Sequence, residues 1–218
     1  MRPELVFREE DGRSAPLLVW RLPGAFPTIS SGPLGGGIGP RRWVINATVP
    51  MSYDRDDPDA HLAEMATGLG LDAPGAGLMT GVDVARMIET TDSGVRVWAT
   101  VGLGKPIQAA VPEPVEQDAV VGTVNIIAYV PARLSDAALV NAVATVTEAK
   151  AQALTELGYA ATGTATDAVC VVVPPDGEPQ QYGGPRSRWG APLARAAYEA
   201  VFIGGRHFSS DPVAWSDR

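Results

Sequence analysis

Two short polar clusters stand at the mouths of two apolar runs, and their residue types are the ones in this chain best suited to chemistry. Gly122-Thr123 leads into Val124–Val130, and Gly163-Thr164-Ala165-Thr166-Asp167 leads into Ala168–Val173. Hydroxyls and a carboxylate held at the ends of buried strands can move protons or hold a polar substrate; otherwise they are only caps on those strands. Asn125 lies inside the first run, and Asn46 inside another apolar run, Arg42–Val49. A buried asparagine must place its donors and acceptors somewhere. Asn46 therefore either ties down backbone or offers its amide to an oxyanion or a substrate amide.

A glycine-rich stretch, Gly35-Gly36-Gly37-Ile38-Gly39, precedes that run. Glycine lets a ligand approach the backbone closely, which makes Gly36 and Gly37 candidate substrate contacts. No Lys-Ser/Thr follows, and a strand rather than a helix comes next, so the stretch is neither a phosphate-binding loop nor a dinucleotide fingerprint.

The elements that must position these groups can be read outward from the pair of apolar runs. Between them Ser135 caps a helix extending to about Leu157, with Asp136 near its positive end. Asn141, Thr145, Glu148 and Gln152 form one polar stripe on it, while most other positions are Ala, Val or Leu. The stripe is either the helix's wet face or a polar network beside a site. Upstream, Glu4–Arg8 and Pro16–Leu22 read as an opening hairpin, with a turn signal at Asp11-Gly12. Asp57 and Pro58 read as the cap and first turn of a helix over Asp59–Leu69, stopped by Gly70. His61 in its first turn is either a surface or capping histidine or a substrate ligand.

A short strand and short helix follow from Gly77 to Glu89, then a turn at Thr91–Gly94 and a half-buried strand Val95–Leu103. The acidic, proline-bearing residues 111–119 read as a loop between two lobes. Near the C-terminus, Tyr182-Gly183-Gly184-Pro185-Arg186-Ser187-Arg188-Trp189-Gly190 leads into a helix Pro192–Phe202, and residues 204–218 read as a polar, poorly ordered tail. The expected class is α+β: mixed β-sheets packed with helices in one domain over residues 1–218.

Composition narrows the function. With 218 residues, 45% of them apolar, the chain can bury one good core. A net charge of −8 leaves no excess of Lys and Arg for a nucleic-acid surface. Cys170 is the single cysteine, so no disulfide can form within the chain, which suits a reducing, cytoplasmic setting; it reads as a small buried hydrophobe. Two histidines and no CxxC or HExxH pattern make a protein-held metal unexpected. No run approaches ~18 apolar residues, so no membrane span is expected. Oligomeric state is left open, a homo-oligomer included.

Several long strings carry a resemblance. LGGGIGPRRWVINATVP, SYDRDDPDAHL, GVRVWATVGLGKP, GTVNIIAYVPARLSDAALVNAVATVTEAKAQAL, GTATDAVCVVVP and YGGPRSRWGAPLARA, spread from about Ser30 to Val201, resemble the adenosylcobinamide amidohydrolase family. The resemblance implies hydrolysis of the amide between the corrin propionate arm and aminopropanol, releasing adenosylcobyric acid and 1-amino-2-propanol. It implies no protein-bound cofactor, the cobalt belonging to the corrinoid substrate. A same-fold enzyme acting on another amide or acyl group, or a non-catalytic corrinoid-binding module, remains open beside it.

A looser likeness concerns architecture. A Gly-Thr opening a strand, a helix, and a second Gly-rich strand mouth bearing Thr and Asp is similar to the second half of the ornithine acetyltransferase and β-aminopeptidase group. The fold there is an αββα-like sandwich, and a Thr or Ser at the position of Thr123 becomes a nucleophile after self-cleavage. The first half is shorter here, and whether self-cleavage carries over stays open.

Amide cleavage needs a nucleophile, a proton relay and oxyanion donors. Thr123 is the first candidate nucleophile, or else a hydroxyl that positions substrate. Glu148 or Asp167 is the candidate base, acting on Thr123 or on water. Asn46, Asn125 and the backbone near Gly36–Gly39 are candidate oxyanion donors, with Thr164 and Thr166 as further substrate contacts.

Overall fold

The structure, a computed structural model, describes residues 1–10, 12–110, 122–212 and 214–217. Its first two strands, β1 (Glu4–Glu10) and β2 (Arg13–Ser30), pair antiparallel from Glu4 opposite Val19 to Glu10 opposite Arg13. β2 runs well past the expected Pro16–Leu22, because β3 (Gly37–Thr48) follows it back along its length. Between the Arg21–Trp43 and Phe26–Arg41 pairs the register shifts. Leu22, Pro23, Gly24 and Ala25 there oppose the single residue Arg42. Proline cannot donate to the ladder, and a bulge of this kind bends the strand. The bend explains why a sequence broken by Pro and Gly is still one strand. β3 likewise starts earlier than expected, within the glycine run.

The remaining elements are α1 (Pro58–Gly68), β4 (Gly75–Thr80), β5 (Ile88–Asp92), β6 (Val95–Gly102), β7 (Thr123–Tyr129), α2 (Asp136–Glu156), β8 (Ala168–Val172) and α3 (Gly190–Ser210). The sheet order is β4-β3-β2-β8-β7-β6-β5, with β1 paired off this path to the start of β2. β3 and β4 run parallel, as do β7 and β8; the other pairs are antiparallel. This mixed sheet with helices is the α+β class expected.

Bent at β2, the sheet folds into two leaves facing each other. Leu18, Trp20, Val44, Ala76 and Leu78 of the first leaf pack against Trp98, Ile127, Cys170 and Val172 of the second. Trp20 and Trp98 meet edge-to-face, with ring centroids 5.7 Å apart and planes at 64°. α1 covers the outside of the first leaf through Leu62, Met65 and Ala66, against Leu17, Val19, Trp43 and Ile45. α2 and α3 cover the outside of the second through Leu139, Val146, Leu193 and Ala197, against Val97, Val124, Ile126 and Val171. The layers therefore run α, β, β, α. Period-two alternation does the sorting. On β7, Val124, Ile126 and Ala128 face the helices, and Ile127 faces the other leaf.

Helix ends follow local chemistry with one exception. The Ser135 hydroxyl accepts from the Ala138 N–H, and Gly158 (φ 88°) and Gly70 (φ 67°) supply left-handed turns after α2 and α1. Asp57 was expected to cap α1, but its side chain makes no cap bond; its carboxylate pairs with Arg55 at 2.8 Å instead. α3 outruns the expected Pro192–Phe202 by a full eight residues at its C-terminal end, so residues 204–210 are helical rather than a polar tail. The 111–119 loop lies outside the described residues. Among the described residues, no helix is long and apolar enough to cross a membrane.

Candidate active site

β7 and β8 are parallel neighbours, with Asn125 opposite Ala168, so both polar mouths open at the same end of the sandwich. There Thr123 and Thr166 meet, Oγ1 to Oγ1, at 2.6 Å. Thr166 Oγ1 also donates to the Gly122 carbonyl at 3.2 Å. Its proton being used there, the Thr123 hydroxyl donates to Thr166. This leaves the Thr123 oxygen's own lone pairs available. Thr123 is buried, at 7% exposure.

Asp167 sits behind this hydroxyl pair and accepts from four donors. Oδ1 takes the Val124 N–H at 2.9 Å and the Thr164 hydroxyl; Oδ2 takes the Thr164 N–H at 3.0 Å and forms an ion pair with Lys150. The two charged side chains retain only 9% and 11% exposure. A carboxylate so fully engaged orders the strand mouths; it has no free lone pair aimed at Thr123. Gly163 makes room for the pair, since a Cβ there would lie 2.3 Å from Asp167 Oδ2 and 2.4 Å from Lys150 Nζ.

Lys150 was not among the residues expected, although the sequence carries a signal for it. It shares a helix face with Val146, Ala153 and Leu154, all buried. A lone lysine on an apolar face must find a partner or leave the core.

The asparagines form a second layer between the leaves. Asn125 Nδ2 donates to Asn46 Oδ1 at 2.9 Å and to the Met79 carbonyl at 2.8 Å. Asn46 Nδ2 donates to Thr100 Oγ1 at 3.1 Å. Both side chains are fully buried, and Asn125 Oδ1 has no partner among the described residues. Asn46 is thus a staple between leaves, with its Oδ1 and one of its two Nδ2 protons engaged. Asn125 lies on the same face of β7 as Thr123, about 7 Å along the strand.

Two expected contributors lie elsewhere. Glu148 is exposed, two positions and hence 200° around α2 from Lys150, and lines a cavity of about 200 Å³ with Gln152, Arg195 and Tyr198. It does not approach Asp167. Its stripe is mostly a wet face; only Thr145 is buried, donating to the Gly183 carbonyl at 2.9 Å. Gly36 and Gly37 are exposed, and Gly37 pairs with Ser30, which pairs in turn with Cys170 of β8. Gly37 is thus three strands from β7 in the sheet order, about 14 Å along the sheet at the usual spacing.

His61 is buried rather than on the surface. It stacks on Tyr53 (centroids 5.6 Å, planes 7°), with Nδ1 3.2 Å from the Tyr53 hydroxyl and Nε2 3.6 Å from Glu10. Burial pushes its pKa below the ordinary value. Burial raises the Cys170 thiol to about 12, in keeping with a small core residue. Among the described residues, no group of three His, Cys, Asp or Glu side chains is arranged to hold a metal ion.

Comparison with known proteins bears on the whole chain. The family model described as adenosylcobinamide amidohydrolase matches residues 2–209. A Methanosarcina mazei protein of that name is 32% identical over 181 residues, covering 83% of this chain and 84% of the relative. A Halobacterium salinarum protein of the same name is 35% identical over 170 residues, 72% of this chain and 71% of the relative. An uncharacterised Methanocaldococcus jannaschii protein is 39% identical over 89 residues, 37% of this chain.

Proposed function

Because this chain belongs to the adenosylcobinamide amidohydrolase family, we propose that it cleaves the aminopropanol amide of adenosylcobinamide at the shared mouth of β7 and β8. The products are adenosylcobyric acid and 1-amino-2-propanol, and the cobalt remains part of the substrate. The observation that carries the placement is the Thr123–Thr166 contact of 2.6 Å beside the four-donor Asp167 carboxylate.

In the proposed mechanism the Thr123 oxygen attacks the amide carbonyl carbon. Its proton leaves through Thr166, the hydroxyl it already donates to, and arrives on the departing amine nitrogen as the C–N bond breaks. The acyl group is then a threonine ester. Water attacks that ester, supplies its hydroxide to the acyl carbon and returns a proton to Thr123. Lys150 and Asp167 act through position: the carboxylate holds the Val124 N–H and Thr164, and so fixes both mouths relative to each other. Asn125 Oδ1, a buried acceptor without a donor among the described residues, is matched to the substrate amide N–H.

The direct test is incubation of the protein with adenosylcobinamide, followed by mass spectrometry for adenosylcobyric acid. Product from the wild type and none from Thr123→Ala supports the reading. Full turnover by Thr123→Ala removes Thr123 as nucleophile.

A further inference from the structure

One built feature has no part in this mechanism. The segment Tyr182–Gly190 wraps the N-terminal third of α2 and the start of α3, and with Asn141, Gln180 and Gln181 it lines an open surface pocket of about 480 Å³. That volume lies within the range of small-molecule sites. The segment is rigidly tied. Thr145 donates to the Gly183 carbonyl at 2.9 Å, Ser187 Oγ donates to the Gly184 carbonyl at 2.8 Å, and the Gly190 N–H donates to Ser187 Oγ at 3.0 Å. Its glycines are there for contact: a Cβ at Gly183 would lie 2.1 Å from the Ala138 carbonyl, and one at Gly190 would lie 2.0 Å from the Gly184 carbonyl.

What this frame holds out is an aromatic face and two cations. Tyr182 is 77% exposed. Arg186 and Arg188 are exposed, and neither has an ion-pair partner among the described residues. The Arg188 guanidinium lies over the Trp189 ring, 5.5 Å from its centroid. In a chain of net charge −8, two guanidiniums without ion-pair partners among the described residues, beside exposed Tyr182 and half-buried Trp189, are a local reversal of sign. Guanidinium forks match phosphate oxygens, ring faces accept a flat heterocycle, and carboxamides such as Asn141 suit its edge.

The cavity is separate from the Thr123 cluster. The Ser135 N–H donates to the Gln180 carbonyl and the Gln180 N–H to that of Arg133, which fixes this segment at the far end of β7, about 20 Å from its Thr123 end. Asn141 and Lys150 also lie on opposite sides of α2.

We propose that the Tyr182–Trp189 segment is a second ligand site that takes a planar heterocycle bearing a phosphate, the chemistry of a nucleotide. Its phosphate sits on Arg186 and Arg188, and its ring on the exposed Tyr182 face.

Calorimetric titration with AMP, adenosine and inorganic phosphate tests this. AMP binds, and adenosine and phosphate each bind at least about tenfold more weakly, since each engages only half the site. The double variant Arg186→Ala/Arg188→Ala loses AMP binding while keeping its circular dichroism spectrum and its rate on adenosylcobinamide; Thr123→Ala binds AMP as the wild type does. No AMP binding by the wild type overturns the proposal, as does unchanged binding by the double variant. Loss of AMP binding together with hydrolysis in the double variant overturns the separateness of the site. Binding is read without turnover, so a failure of the hydrolysis reading leaves it intact.

Discussion

Lys150 and Asp167 come from different elements, seventeen residues apart, and close on each other in the space that Gly163 leaves by having no side chain. Through this contact the far end of α2 is coupled to the mouths of β7 and β8. Removing one partner strands the other charge in a nearly dry setting. Lys150→Met is expected to lower unfolding stability by about 3 kcal/mol and to depress kcat more than it changes KM. Lys150→Arg should recover part of both. Denaturant unfolding and steady-state kinetics on the same preparations check this. A Lys150→Met variant of native stability and native kcat would remove the pair's positioning role.

Thr123 and Thr166 separate by chemistry. Thr123→Ser keeps a hydroxyl and is expected to keep measurable turnover, whereas Thr123→Ala should lose at least about 10³-fold in kcat. Thr166→Ala removes only the relay and should cost about 10²-fold or more. Product formation by mass spectrometry gives all three rates. Equal losses in Thr123→Ser and Thr123→Ala would point to packing of the strand mouth, not to a nucleophile.

The β7–α2–β8 unit is legible in the sequence because its periodicities are strong: alternating apolar residues in β7, a capped and mostly apolar α2, and polar residues confined to the mouths. The meetings of Thr123 with Thr166 and of Val124 with Asp167 follow from two parallel neighbours entering from one end. The sequence leaves the position of Glu148 open because a polar stripe gives the phase of a helix but not which side meets the sheet. Glu148 is on the wet side; Lys150, two residues on, is on the other.

The ends of elements were hidden for a related reason. Gly204-Gly205 looks like a helix stop, yet a Cβ at Gly204 would lie 2.6 Å from Val101 and one at Gly205 would lie 2.5 Å from Leu157. Those glycines serve close packing of α3, and nothing local in the sequence says so. The Pro23-Gly24 break in β2 is also resolved only by a distant partner, β3, which keeps the strand going on both sides.

His61 gives a pH dependence of stability. Burial lowers its folded pKa below the 6.5 of an exposed histidine, so in acid the unfolded chain binds more protons than the native one. The penalty is absent above about pH 6.5 and grows as pH falls from there towards the folded value. Glu10 opposes the shift, as its charge favours the cation. Denaturation midpoints measured from about pH 7.5 down to 5.5 should fall for the wild type and fall less for His61→Gln. Parallel curves for the two proteins would show that His61 does not carry the effect.

The Asn46–Asn125 contact joins leaves rather than neighbouring strands, and its loss should be felt in stability first. Asn46→Ala deprives Asn125 Nδ2 of one acceptor, leaving it the Met79 carbonyl, and takes the donor from Thr100. Unsatisfied groups in a fully buried layer cost about 1–3 kcal/mol, so Asn46→Ala should unfold at correspondingly lower denaturant with a similar slope. Its kcat should fall less than that of Asn125→Ala, because Asn125 carries an Oδ1 without a partner among the described residues, on the face shared with Thr123. If Asn46→Ala proves the slower enzyme of the two, the substrate amide is held from the first leaf, and Asn125 is the staple instead.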